Sequence, residues 1–260
     1  MRSLAKPSAW EKFFWPLLTA GVLLIAWRYS VVWTGTKVFP SPALVAHGFV
    51  ELVHKHVLWK DIGDSLRRVA LGYGAAVLTG IPIGLALGWY PALNQVVNPV
   101  VQILRPISPL AWIPVAIILF GIGDPAAVFL IFLSAFFPIV VGCAGSVSSV
   151  PSIYRRAGRN FGFSPLQVLT KVVFPAALPQ ILVSLRIALG VAWLVVVAAE
   201  MIAVDSGLGY LVIDSRNSGK RYDLVVAAML TIGVIGLALD IIFRRLEKLR
   251  SLRWGFRHES

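Results

Sequence analysis

Five segments of this chain, 13–33, 66–89, 126–147, 181–203 and 224–243, each run for twenty residues or more with at most two charged side chains. A helix rises about 1.5 Å per residue, so each segment is long enough to cross the roughly 30 Å of hydrocarbon in a bilayer. Inside hydrocarbon every backbone N–H and C=O must be satisfied, and a continuous apolar run of this length does so only as a helix. The pattern predicts an all-α polytopic membrane protein. Composition agrees, because 58% hydrophobic residues and a mean hydropathy of +0.80 over 260 residues leave no room for a soluble domain carried on one anchor. The first segment follows Arg2, Lys6 and Lys12 and has no small-x-small site after a short apolar core, so it reads as an uncleaved span rather than a signal peptide.

A further span, broken by proline, brings the expected number to about six. The stretch 90–107 reads as a cytoplasmic connection carrying Arg105, after which Pro106, Pro109 and Pro114 interrupt a third span that ends near 121–125. Interrupted segments are tolerated where backbone is buried in protein or lines a cavity. Ser108, Pro109, Trp112 and Pro114 are therefore candidates for lining a pathway, and Ser134, Arg186 and Glu200 in the fourth and fifth spans join them. Charges within a span face a wet interior, pair with one another or snorkel to an interface, and structural pairing or snorkelling is favoured over substrate contact for Arg186 and Glu200. In the second span Gly80, Gly84 and Gly88 share one helix face and admit a close neighbour, either for packing or for a pathway. Pro82 should bend that span. Residues 43–59 form an amphipathic stripe suited to the outer interface. His54 and His56 point to different faces there and lack a completing carboxylate, so no metal site is expected.

The net charge of +12 does not indicate nucleic acid, because the basic residues are spread over loops and ends without interleaved aromatics. Membrane orientation accounts for them. With six crossings and the N-terminus inside, inner segments carry fourteen basic residues with few acids, whereas outer segments carry eight against seven acids. That is the positive-inside bias. Both termini and 154–175 are thereby expected in the cytoplasm, and His47 and Asn217 outside. Cys143 lies alone in an apolar run, which excludes an intrachain disulfide and reads as packing.

The longest polar interruption of the second half, 154–179, carries its own punctuation. Gly162 can take the left-handed conformation that ends a helix over 153–161, and Ser164, Pro165 and Gln167 supply N-cap, first-turn proline and capping-box partner for a second. Pro175 should stop that second helix near Val173, with a new span starting after Pro179. Lipid does not require such a surface helix-turn-helix, so it needs a protein partner.

The spacing Arg156-Ala157-Gly158, three residues, Gly162, nine residues, Val172-Val173-Phe174-Pro175 resembles the cytoplasmic signature of ABC importer permeases, whose triplet is glutamate-alanine-alanine. The words LRPISPLAWIPVAIILFGIGD at 104–124 and LRIALGVAWLVVVAAEMIA at 185–203 resemble the nitrate/sulfonate/taurine/bicarbonate subfamily, and matched words extend over about 65–246. Arg156 departs from the pattern, which has an acid there. The resemblance implies the type I ABC importer transmembrane fold, with Arg155, Arg156, Ala157, Gly158, Asn160, Phe161, Gly162, Phe163, Ser164 and Pro165 contacting an ATPase subunit. It also implies a permease for a small anion or organosulfur solute, delivered by an extracytoplasmic binding protein across a bacterial inner membrane. The chain then divides into an N-terminal segment, 1–64, a permease core, 65–246, with coupling helices at 153–175, and a basic tail, 247–260.

No phosphate loop, nucleophile elbow, HExxH or CxxC occurs, so the chain is not itself an enzyme and needs no cofactor; ATP and Mg would belong to the partner ATPase. One signature and no internal repeat imply two copies about a two-fold axis. An ion-coupled secondary transporter is the alternative, and it would need paired intramembrane carboxylates or repeated halves, where only Glu200 and Asp240 stand near the membrane.

Overall fold

In a computed structural model the protein is described over residues 10–35 and 39–247, and no strand occurs among them. The chain runs α1 (Glu11–Thr34), α2 (Pro42–His54), α3 (Val57–Trp89) and α4 (Pro91–Leu104), a 3-10 turn (Pro109–Trp112), then α5 (Ile113–Phe120), α6 (Asp124–Ser148), α7 (Ser152–Asn160) and α8 (Pro165–Val168). A π turn (Leu169–Val173), α9 (Phe174–Ala203), α10 (Leu208–Asn217) and α11 (Tyr222–Glu247) complete it. The all-α polytopic class is as expected. Among the described residues four continuous helices are long and apolar enough to span a bilayer, Val57–Trp89, Asp124–Ser148, Pro165–Ala203 and Tyr222–Glu247, and the pair Pro91–Leu104 and Pro109–Phe120, bent by 83°, makes a fifth when taken as one broken span, against about six expected. In α1 the apolar run is shorter, Leu17–Trp33, and it presents Leu17, Leu23, Tyr29 and Trp33 outward, as a helix in contact with lipid would. Its main tie to the bundle is the Trp27 indole, which donates to the Pro40 carbonyl at 3.2 Å.

The core is a three-helix stack in which α6 lies between α3 and α9. Its α3 side is a seam of glycines. A Cβ on Gly72, Gly80, Gly84 or Gly88 would come within 2.5–2.9 Å of Ile131, Ile139, Cys143 or Val147, each 59 positions further along the chain. The constant offset means that the two helices run parallel in register, their backbones brought together by the absence of side chains every four residues. The glycine face is thus a packing face, and Pro82 lies within α3 without interrupting it.

Several boundaries differ from the expectation for local reasons. The amphipathic stripe over 43–59 is broken at Lys55, because His56 adopts a left-handed φ of 57°; α2 ends at His54 and residues 57–59 open α3. The expected division at 64/65 therefore falls inside one helix. Residues 90–107 are not a loop. Pro91 opens α4, which packs beside the C-terminal half of α6, so that Asn94, Asn98 and Val101 share a cavity of ≈ 320 Å³ with Val141, Ala144 and Ser148. The second signature helix does not stop at Val173. The π turn, in which the Phe174 N–H reaches the Leu169 carbonyl, re-registers the hydrogen-bond ladder one residue before Pro175, so the missing N–H there breaks nothing and the helix continues to Ala203. Residues 204–222 are largely helical, as α10. The expected tail at 247–260 lies, beyond Glu247, outside the described residues.

Candidate functional site

The segment that connects α6 to α9 folds around Gly162. Its φ of 78° lies in the left-handed region, and the Phe163 N–H bonds to the Gly158 carbonyl at 3.1 Å while the Gly162 N–H bonds to the Arg159 carbonyl at 2.9 Å. This pair is the Schellman closure of α7. Two residues on, the Ser164 hydroxyl accepts from the Gln167 N–H at 3.4 Å and the Gln167 side chain accepts from the Ser164 N–H at 2.9 Å, which closes a capping box at the start of α8 with Pro165 in its first turn. Gly158 is buried, and a Cβ there would sit 3.2 Å from Val168, so α7 packs closely on α8 and the π turn.

The basic residues of this segment divide. Arg155 turns inward: its guanidinium lies 3.3–3.4 Å from the carbonyls of Val147, Ser148 and Val150 and 6.0 Å from the Trp89 ring, and so terminates α6. Arg156 is exposed and reaches only the Ser152 hydroxyl, at 3.3 Å. Asn160, Phe161, Phe163, Ser164 and Pro165 are exposed, and Ala157 is half-buried. Phe161 is 81% exposed and Leu166 69% exposed. No acid occurs from 125 to 199, so the knob is cationic and apolar.

The seven pathway candidates separate into three places. Pro109, Trp112 and Ser134 meet at a cavity of ≈ 160 Å³, which Arg105, Phe137 and Pro138 also line. Ser108 stands beside it as the cap of the 3-10 turn, accepting from the Leu110 N–H at 3.4 Å, and Pro114 is exposed on α5. Arg186 is elsewhere, near the middle of α9 against the C-terminal part of α11, 3.8 Å from Asp240 and 3.2 Å from Glu247. Glu200 lines no cavity. It is fully buried, and accepts from Arg68 at 2.7 Å, from the Ser65 hydroxyl at 2.8 Å and from the Gly209 N–H at 3.0 Å. Both carboxylates that a secondary transporter might have used are thus in ion pairs, since Asp240 also accepts from Arg244 at 2.7 Å.

The partner of Glu200 was not foreseen. Arg68, 1% exposed, donates to Asp124 at 2.7 Å, to Glu200 at 2.7 Å, and to the Ser206 carbonyl and hydroxyl at 2.8 and 2.6 Å. Asp124 also binds Arg67. Asp61 accepts from the Gly207 N–H at 3.1 Å and the Ser65 hydroxyl from the Leu208 N–H at 3.0 Å. One polar cluster therefore ties the starts of α3 and α6 to the end of α9 and the turn into α10. A signal was present: between 65 and 199 the only acid is Asp124, so adjacent arginines at 67 and 68 had few partners to choose from. Outside the spans, Arg221 and then Lys55 hydrogen-bond to Glu51 and hold its carboxyl down at about 2, fastening α2 to the start of α11.

A bundle of long apolar helices with a capped polar segment between two of them defines a polytopic membrane protein. Residues 80–251 match the family described as the binding-protein-dependent transport system inner membrane component, and the chain belongs to that family. It is 35% identical over 252 residues to the taurine transport system permease protein TauC of Escherichia coli (strain K12), covering 91% of each chain. It is 34% identical over 243 residues to the nitrate import permease protein NrtB of a Synechocystis species, covering 90% of this chain and 88% of that one. Among solved structures, a chain of the MetNI methionine ABC transporter in an inward-facing conformation superimposes with a TM-score of 0.66 at 20% identity, over 75% of this chain and 96% of that one, and shows the shared fold. The protein is accordingly a non-catalytic, multi-pass permease of an ABC importer, a class that pairs with an ATPase and a binding protein.

Proposed function

We propose that the chain forms half of a homodimeric import pathway for a small anion or organosulfur solute, of the nitrate, taurine, alkanesulfonate or bicarbonate class, presented at the outer face by a binding protein. In this reading ATPase subunits, which hold the ATP and Mg, dock on residues 152–173, and both termini are cytoplasmic. The carrying observation is the knob itself: a Schellman closure and a capping box hold a turn whose Phe161 and Leu166 are 81% and 69% exposed, with nothing among the described residues to cover them. The substrate class is supported by the likeness to the taurine and nitrate permeases over nine-tenths of the chain. Two copies are supported by the single knob per chain, since each copy engages one ATPase.

Gly162→Val tests the reading. A side chain costs roughly 1–2 kcal/mol in the left-handed conformation, so the turn should reopen and redirect α7. Space is not the difficulty, because a Cβ there meets nothing within 4 Å. The variant should insert in near-normal amount, yet lose ATPase co-purification and transport. Arg156→Ala should do less, as one exposed contact is worth under about 1 kcal/mol. Full ATPase recovery with Gly162→Val would remove the knob as the docking element.

A further inference from the structure

The break in the α4–α5 crossing places a cation where the bilayer tolerates one only with a purpose. Ser134 lies ten residues into α6 and Pro138 ten before its end, so the cavity they line is about 15–21 Å from either end of that helix, at the middle of the bundle. Arg105 lines the same cavity. An arginine at this depth costs about 2.5–3.5 kcal/mol or more unless it faces water, protein or a bound counter-charge.

Its surroundings exclude a protein counter-charge. Asp124 holds Arg67 and Arg68, Asp240 and Glu247 hold Arg186, and the last carbonyls of α6 hold Arg155. Among the described residues Arg105 has no partner, its side chain is exposed, and no carboxylate lines its cavity. On the same wall Trp112 has an indole whose one polar group is a donor. Arg105 also ends a polar stripe. Asn94, Asn98, Gln102 and Arg105 fall within about 80° of one another around α4, at 100° per residue. Asn94 and Asn98 line the cavity of ≈ 320 Å³ below, so the stripe runs from the inner end of α6 up to the guanidinium.

Resting on the reading of the chain as an import permease, we propose that Arg105 is a mid-membrane oxyanion subsite. Two parallel N–H groups of its guanidinium receive two oxygens of a singly charged sulfonate, nitrate or bicarbonate, and the amides of α4 carry the solute from there to the cytoplasmic side. The geometry suits the group: a planar fork of donors matches a delocalised oxyanion, and Phe137, Pro138 and Trp112 give the cavity an apolar wall on one side. Two copies facing each other would close the exposed side of the cavity.

The experiment uses the complete transporter, this chain with its ATPase and binding protein in proteoliposomes, and isotopically labelled taurine, nitrate and bicarbonate as probes. Arg105→Gln should keep ATPase co-purification and lower initial uptake at least about tenfold, whereas Arg105→Lys, which keeps the charge and one contact but loses the planar fork, should fall between Gln and wild type. In a Cys143→Ser background, Arg105→Cys modified with the cationic reagent aminoethyl methanethiosulfonate should recover uptake, and the anionic sulfonatoethyl reagent should not. Wild-type uptake by Arg105→Gln, or equal recovery with both reagents, would overturn the subsite while leaving the permease reading intact. Failure of Gln and Lys variants alike to bind the ATPase would make Arg105 structural and also overturn it. A wild-type complex that takes up none of the three probes would instead overturn the proposed substrate class, and the subsite with it.

Discussion

Replacing Arg68 with methionine removes the hub of the polar cluster at the start of α3 while keeping most of its volume. Arg68 makes four short hydrogen bonds, to Asp124, to Glu200 and twice to Ser206. At about 1.5–3 kcal/mol for each contact of a charged donor they would sum to more than a relaxing site loses. The limiting quantity is the orphaned carboxylate: Glu200, fully buried, would keep the Ser65 hydroxyl and the Gly209 N–H but lose its counter-charge. Breaking a buried pair in this way costs roughly 3–5 kcal/mol. Gly207 gives the cluster little room to adapt, since even a Cβ there would come within 2.4 Å of the Glu200 carboxyl carbon. The assay is reversible unfolding in mixed micelles of Arg68→Met, Glu200→Gln and the double variant. The expectation is a loss of about 3–5 kcal/mol for Arg68→Met, and a double variant less damaged than the sum of the singles by about 1–3 kcal/mol. A cost below about 1 kcal/mol, which is the range of exposed pairs, or strict additivity, would refute the argument that the pair is a buried structural hub.

The α3–α6 seam predicts opposite outcomes for two glycines of one helix: Gly84→Val, whose Cβ falls 2.5 Å from the Cys143 Cβ, should lower stability by about 1–3 kcal/mol or more, while Gly74→Ala, with nothing within 4 Å, should be neutral or stabilising by up to about 1 kcal/mol in the same unfolding assay. Glu51, held at about 2 against an ordinary 4.5, contributes its link to Arg221 fully above pH 4.5 and loses it as pH falls toward 2; a spin-label distance between α2 and α11 should stay constant from pH 8 to 5, and broadening within that interval would contradict the assignment. For topology, Asn217→Cys in a Cys143→Ser background should react with an impermeant thiol reagent in intact cells; labelling only after the cells are opened would invert the proposed orientation.

What could be read from residue order was whatever depends on neighbours in sequence. Gly162, Ser164, Pro165 and Gln167 act over three to five residues, and the turn they form is the one their types dictate. Long apolar runs likewise declare themselves. The partner of Glu200 did not, because Ser65 and Arg68 lie 135 and 132 residues away and pairing at that separation is decided by how helices stack. The stretch 90–107 misled for a different reason: its prolines, asparagines and glutamines interrupt the apolar run, although Asn94, Asn98 and Gln102 occupy one face and Val96, Val100 and Ile103 are exposed apolar residues of the same helix. Pro175 misled because a proline penalty assumes an α-helical ladder, and the π turn had already changed it.

That π turn leaves residues 165–203 as one helical rod of 39 residues, about 57 Å long at 1.5 Å per residue. Its lower end is the capping box at Ser164 and its upper end carries Glu200, locked to Arg68. Because the helix is continuous, a change of direction at the capping box would be carried along one element to the Glu200–Arg68 pair, so the two ends of the bundle are joined by a single unbroken backbone ladder.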